Sequence, residues 1–204
     1  MKQKKYVERS VNFRSTDDTP GDGRTMIGYG AVFDQVTEIN SWEGTFKERV
    51  QKGAFKKTLS EHPNPVVQFD HGRDTRVGSV PIAAIEELKE DSAGLFIRAK
   101  LFDNPIVEPI RQAIEAQSIS GMSFKFRVTA DKWVDAKGRR VSGDELERLL
   151  STGTLTRTIT EVQLAELGPV VFPAYAGTSV GVRDSDSAPY KLLAAERQLK
   201  LLGL

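Results

Sequence analysis

The chain has 204 residues, 39% of them hydrophobic and 28% charged, which is enough apolar material for the core of one soluble domain. Its 29 basic and 28 acidic residues leave a net charge of +1, so no broad field draws it to nucleic acid or to an anionic membrane. The absence of cysteine excludes disulfides, zinc–thiolate sites and a thiol nucleophile, and with only two histidines, His62 and His71, a three-histidine metal centre is impossible.

No apolar run is long enough to span a bilayer, and the charged opening MKQKKYVERS lacks the apolar stretch of a signal peptide. Val7, Arg9, Val11 and Phe13 read as a strand-like opening, followed by a turn in TPGDGR (19–24). MIGYGAVFD (26–34) reads as a strand whose glycines suit a curved or bulged sheet. FKERVQKGAFKKTL (46–59) reads as a loop leading into a short helix, with Phe55 and Leu59 on one face. PVVQFDH (65–71) is a β-branched strand introduced by two prolines and closed by His71.

GLFIRAKLF (94–102) alternates, with Leu95, Ile97, Ala99 and Leu101 on one face. Asn104-Pro105 should start a helix, Asn104 as N-cap, with Ile106, Ile110, Ala113 and Ile114 as its buried stripe. SISGMSFKFRV (118–128) is a strand with Met122, Phe124, Phe126 and Val128 on one face and Ser123, Lys125 and Arg127 on the other. A hairpin or loop is expected around Ala136-Lys137-Gly138, then a capping box, Ser142 to Glu145, opening a helix with Leu146, Leu149 and Leu150. TLTRTITEVQLAEL (154–167) is a long strand, and GPVVFPAY (168–175) an edge or irregular segment. DSDS (184–187) reads as a linker before a helical stripe of Leu192, Ala195, Leu199 and Leu202, which divides the chain into a domain over 1–183 and a tail over 184–204. Many short strands with a few helices predict a mainly β, α+β fold, a barrel or sandwich decorated by helices.

Few residues can carry chemistry. Ser123 follows Gly121-Met122 on the polar face of an otherwise apolar strand, a rigid mount for a nucleophile, although pattern alone favours an ordinary strand serine. Ser118 and Ser120 read as strand-entry residues. His71, between Asp70 and Gly72, is the candidate base, or else a hydrogen-bonded turn histidine; His62, before Pro63, reads as an exposed loop residue. A carboxylate must orient such an imidazole. Glu161 lies on the outward face with Gln163, the face in character with Ser123, and is the preferred third member. Glu166 has the parity of Val162 and Leu164, should point inward and need an arginine or backbone partner in what could be a purely structural role, and stays open as the alternative; Asp70 is a weaker one. Asp17-Asp18 and Asp184/Asp186 lack the spacing of a calcium loop. Gly28-Tyr29-Gly30 is too short for a dinucleotide fingerprint, and no phosphate loop is present. No cofactor or metal is expected.

Taken in order, GYGAVFD (28–34), VQKGAFKKTL (50–59), VVQFDH (66–71) with VGSV (77–80), ISGMSFKF (119–126) and ITEVQLAELGPVVFPAY (159–175) resemble the phage prohead proteases, relatives of the herpesvirus maturational protease assemblin. The resemblance runs over roughly residues 6 to 182. It implies a mostly antiparallel β-barrel surrounded by helices. It also implies a serine endopeptidase with Ser123 as nucleophile and His71 as base. Where the herpesvirus relatives use a second histidine, this chain has Glu161, a departure the chemistry accepts. Their oxyanion arginines would fall near Pro169 and Val170, which leaves backbone amides near Ser123 or in 168–172 as the expected donors. The implied substrates are scaffold proteins or scaffold-like segments of the major capsid protein, and the chain itself, cut inside the immature capsid in the host cytoplasm. Self-association, with a dimer as one form, is expected; nucleic acid and membrane are not. The competing readings are a non-enzymatic capsid scaffold or assembly chaperone, and a β-rich binding module in which these residues lie far apart.

Overall fold

The computed structural model describes residues 7–12, 22–41, 43–61, 64–150, 152–171 and 180–184. Ten strands and three helices follow in chain order: β1 (Val7–Asn12), β2 (Asp22–Val32), β3 (Thr37–Ser41), β4 (Gly44–Val50), α1 (Lys56–Ser60), β5 (Val66–Val67), β6 (Ala83–Glu90), β7 (Gly94–Leu101), α2 (Glu108–Glu115), β8 (Gly121–Val134), α3 (Gly143–Leu149), β9 (Thr156–Val170) and β10 (Val180–Asp184). One sheet takes eight of the strands in the order β1-β8-β9-β5-β6-β7-β2-β10, with β4 paired to β9 and β3 to β4. Pairing is antiparallel except where β4 and β5 run parallel to β9. The fold is thus α+β and rich in strands; the closure of an expected barrel is not among these pairings, which leave β1 and β10 as ends.

The alternation read from the sequence sets the core. Met122, Phe124, Phe126 and Val128 of β8 and Leu95, Ile97, Ala99 and Leu101 of β7 are all buried in one cluster. Phe124 stacks on Phe126 with ring centroids 4.6 Å apart and meets Phe55 edge-on at 5.7 Å. Gly30 marks the irregular point of β2, where the register to β7 shifts between Tyr29 and Ala31.

β9 organises the rest. Its whole length pairs with β8 on one side. On the other, β4 covers Thr156 to Ile159 and β5 covers Glu166 and Leu167. Between them the Val162 N–H donates to the Ala54 carbonyl (3.0 Å) and the Leu164 N–H to the buried Thr58 hydroxyl (3.1 Å). The turn before α1 and the helix itself therefore satisfy the backbone groups that a strand edge would leave exposed.

Several expectations need correction. Residues 46–50 belong to β4 rather than to a loop, and Phe46 is buried with Ile39, Val141 and Leu155. Asn104 does cap, accepting from the Ile106 and Val107 N–H groups at 3.0 Å, but the helix proper begins at Glu108 and Ile106 is exposed. The box at Ser142 does not form: Ser142 makes no side-chain cap bond, and the Glu145 carboxylate accepts from Arg139 instead. The strand expected over 65–71 stops at Val67. Of TPGDGR, Asp22, Gly23 and Arg24 are already strand, and the first half of that turn, His62, Asp17-Asp18, Phe172 to Tyr175 and the tail after Asp184 lie outside the described residues. Among the described residues no helix is long and apolar enough to cross a membrane.

One buried ionic cluster escaped the sequence reading. Arg157 donates to Asp131 (2.8 Å), Glu43 (3.1 Å) and the fully buried Glu48 (3.1 Å), with its guanidinium 5.3 Å from the Trp133 ring centre. Removing one member of such a cluster strands a buried charge, which costs about 3–5 kcal/mol. Arg157→Leu is therefore expected to lower stability by that order in urea unfolding, while Arg148→Leu, on the exposed side of α3, stays within about 0.5 kcal/mol of the parent. Equal midpoints for the two variants would contradict this account of the cluster.

Candidate active site

Ser123 lies in β8 opposite Gly168 of β9, and Lys125 lies opposite Glu166. Directly opposed residues of an antiparallel pair project on the same face, and the diagonal neighbour is about 7–8 Å away. Ser123 and Glu166 thus share the face turned away from Phe124 and Phe126.

Glu166 owes that face to a bulge. Phe126 pairs with Leu164 but Lys125 pairs with Glu166, so Ala165 is the extra residue. One inserted residue reverses the side of everything beyond it. The parity that would send Glu166 inward with Leu164 is broken at this point.

The histidine arrives from the opposite edge. After β5 the Gln68 N–H still donates to the Leu167 carbonyl (3.1 Å), and then the chain climbs over Gly168. A Cβ at Gly168 would sit 3.0 Å from the Gln68 N and C atoms and would collide with its carbonyl oxygen, so only glycine lets this crossing occur. The next residues form a tight left-handed turn: φ is 45° at Asp70, 58° at His71 and 74° at Gly72, closed by the Gly72 N–H donating to the Phe69 carbonyl (2.9 Å). His71 therefore sits in a turn packed on β8 and β9, not at the end of a strand. Positive φ at a non-glycine residue costs on the order of 1–3 kcal/mol and persists only where the surroundings impose it.

The loop behind imposes it. A Cβ at Gly72 would come within 3.1 Å of the Ser79 Cα. The Gln68 side chain donates to the Ser79 carbonyl (2.6 Å), and the Asp74 carboxylate accepts from the Arg76 and Val77 N–H groups at 2.9 and 3.1 Å. Those two backbone bonds hold the Asp74 carboxyl below its ordinary range.

The turn delivers the imidazole to Glu166, with His71 Nδ1 2.9 Å from Glu166 Oε2 and both side chains at most 4% exposed. Where the carboxylate oxygen accepts in this bond the ring proton is on Nδ1, and Nε2 is then the acceptor nitrogen of the neutral imidazole. Glu166 Oε1 is buried and has no hydrogen-bond partner among the described residues, so the carboxylate is not a fully satisfied structural one. Ser123, also on this face, is 0% exposed.

The structure keeps Glu161 away from this group. It is on the face of Gln163 and Ser123, as its parity predicts, but it stands opposite Ala130, seven positions along β8 from Ser123. At about 3.3 Å per residue that is roughly 20 Å. Its carboxylate accepts instead from Thr129 (2.7 Å) and Lys57 (3.1 Å), and these bonds hold it below the usual carboxylate range. A shared face does not bring two residues together when their positions along the strands differ. Asp70 is half-exposed and turned toward Arg73 (3.8 Å). Ser118 is exposed in the turn after α2, and Ser120 precedes β8. Gly168, which no site reading included, carried a signal: a Gly-Pro step inside a strand marks a bulge or a close backbone approach.

Comparisons with known proteins bear on the family of the chain. A search of curated proteins finds no match. One solved structure, described as that of the bacteriophage T4 capsid assembly protease, gp21, is similar over 82% of this chain and 98% of its own, with 12% identity and a TM-score of 0.48. The family model for caudovirus prohead serine proteases matches residues 9–192, nearly the whole chain, and the chain belongs to that family.

Proposed function

We propose that the chain is a serine endopeptidase of prohead maturation that acts through Ser123, His71 and Glu166. The reading is carried by one observation: a buried histidine–carboxylate pair held on the same face of β8 and β9 as the serine, in a chain of this family.

In the proposed reaction, His71 Nε2 takes the Ser123 proton as Oγ attacks the scissile carbonyl. Glu166, in place of Glu161, holds the ring in the Nδ1–H tautomer and stabilises the imidazolium that forms. His71 then protonates the leaving amine, and water, activated by the same ring, hydrolyses the acyl-enzyme. Backbone N–H groups near Ser123 or in 168–172 serve the oxyanion. The substrates are scaffold proteins or scaffold segments of the major capsid protein, and the chain itself, inside the immature capsid. The protein works in a self-associated form.

The alternative, a capsid scaffold or assembly chaperone that retains the fold without activity, draws on the complete burial of Ser123.

Three measurements separate these readings. Incubated with its cognate capsid and scaffold proteins and followed by intact mass, the wild type should release defined fragments, and Ser123→Ala, still folded by circular dichroism, should slow their release by a factor on the order of 10⁴ or more. Fragments formed equally by both would remove Ser123 from the chemistry.

Glu166→Gln should reduce kcat by about 10³-fold with little change in KM, because only the transition state carries the imidazolium. Glu161→Gln should stay within about 2-fold of wild type, losing no more than surface contacts worth a few tenths of a kcal/mol. The reverse ranking would restore Glu161 as the third member.

Gly168→Ala should push the Gln68 crossing, and with it His71, away from Ser123. A displacement near 1 Å costs about 100-fold in rate. Unchanged kcat/KM in a folded Gly168→Ala would show that the crossing does not set the histidine.

A further inference from the structure

A wholly buried Ser123 poses a question of access, since attack needs a carbonyl within about 3–3.5 Å of Oγ. Two approaches are closed by the domain itself. The opposite face of β8 is packed with Met122 and Phe124. On the β9 side, the Gln68 backbone lies over Gly168, the residue opposite Ser123, and the His71 turn follows it.

β1 lies along the outer edge of β8. The antiparallel register runs from Val7 opposite Phe126 to Asn12 opposite Gly121, with Ser10 opposite Ser123. β1 ends the sheet, and β8 is its only paired strand among those described. Its departure would break no pairing between β8 and β9 and no bond between His71 and Glu166.

We propose that this edge is the seat of the substrate backbone and that β1 occupies it until displaced. The inference rests on the serine endopeptidase reading above. The occupant is an extended peptide added antiparallel to β8, which would take over the alternate N–H and C=O groups of residues 121–126 that β1 now engages. Backbone pairing demands little of the peptide's sequence. A tethered strand competes at an effective concentration in the millimolar range. Dilute peptides therefore lose to β1, whereas substrates crowded together with the enzyme can replace it.

The test exploits the absence of cysteine. Glu8 and Lys125 are register partners, and the roughly 4.5–5.5 Å between Cα atoms of such a pair admits a disulfide. In the full-length Glu8→Cys/Lys125→Cys variant, a fluorophosphonate that caps an activated serine, losing fluoride as the Oγ–P bond forms, is followed by intact mass. The oxidised form should label at least ten-fold more slowly than its own reduced form. Equal rates overturn the inference.

Hydrogen–deuterium exchange on the wild type gives a second reading, independent of whether that variant folds. Capping Ser123 with a hexapeptidyl diphenyl phosphonate, which loses phenol as the Oγ–P bond forms, should strip protection from the amides of residues 7–12. Protection that survives in the adduct overturns the inference as well. A wild type that takes neither label overturns the serine reading and this inference together, which distinguishes that outcome from failure of the β1 proposal alone.

Discussion

The hydrogen bond between His71 Nδ1 and Glu166 Oε2 is the constraint around which this half of the molecule is arranged. A carboxylate and an imidazole buried together cost several kcal/mol in lost hydration unless they meet in good geometry. Three local irregularities bring them together. The bulge at Ala165 turns Glu166 to the face of Ser123. Gly168 lets the chain after β5 cross over β9. The left-handed turn over Asp70, His71 and Gly72 then sets the imidazole down. Each departs from regular sheet geometry, and departures of this kind gather where a site must be held in position.

Regular structure supplies the rigidity. β9 pairs with β8 along its whole length and is sealed on its other edge by β4, the Ala54 carbonyl, the Thr58 hydroxyl and β5. The Phe55, Phe124 and Phe126 rings lock the opposite face. Ser123 and Glu166 thus ride on two strands that pair along their length, while the histidine comes from a loop buttressed by Asp74, Gln68 and Ser79. β1, at the end of the sheet, pairs with β8 alone among the described strands.

How far the sequence could be read followed the same division. The alternation in 94–101 and 122–128 and the length of the strand after Thr154 reflect period-2 burial, and they were legible residue by residue. His71 stood out because the chain has only two histidines, and Ser123 through its place after Gly121-Met122 and the resemblance of ISGMSFKF to the prohead proteases. The choice between Glu161 and Glu166 depended on counting alternation through Ala165, where a bulge reverses it, and on position along the strands, which alternation does not contain. Glu166 was expected to point inward to an arginine or backbone partner; the bulge turns it to the Ser123 face instead, where it meets His71. The left-handed turn was hidden because its lone glycine follows the histidine, while Asp70 and His71 adopt positive φ without one. Arg157 likewise gave no signal: nothing in a Thr-Arg-Thr run distinguishes a buried ionic cluster from an exposed strand.

The most direct test of the central claim is ¹⁵N and ¹H NMR of the protein labelled at its two histidines. The account predicts that His71 carries its proton on Nδ1, seen as a low-field resonance slow to exchange with solvent, and that this signal shifts or vanishes in Glu166→Gln while remaining in Glu161→Gln. A His71 ring protonated on Nε2 alone, or a signal that follows Glu161 instead, would contradict it.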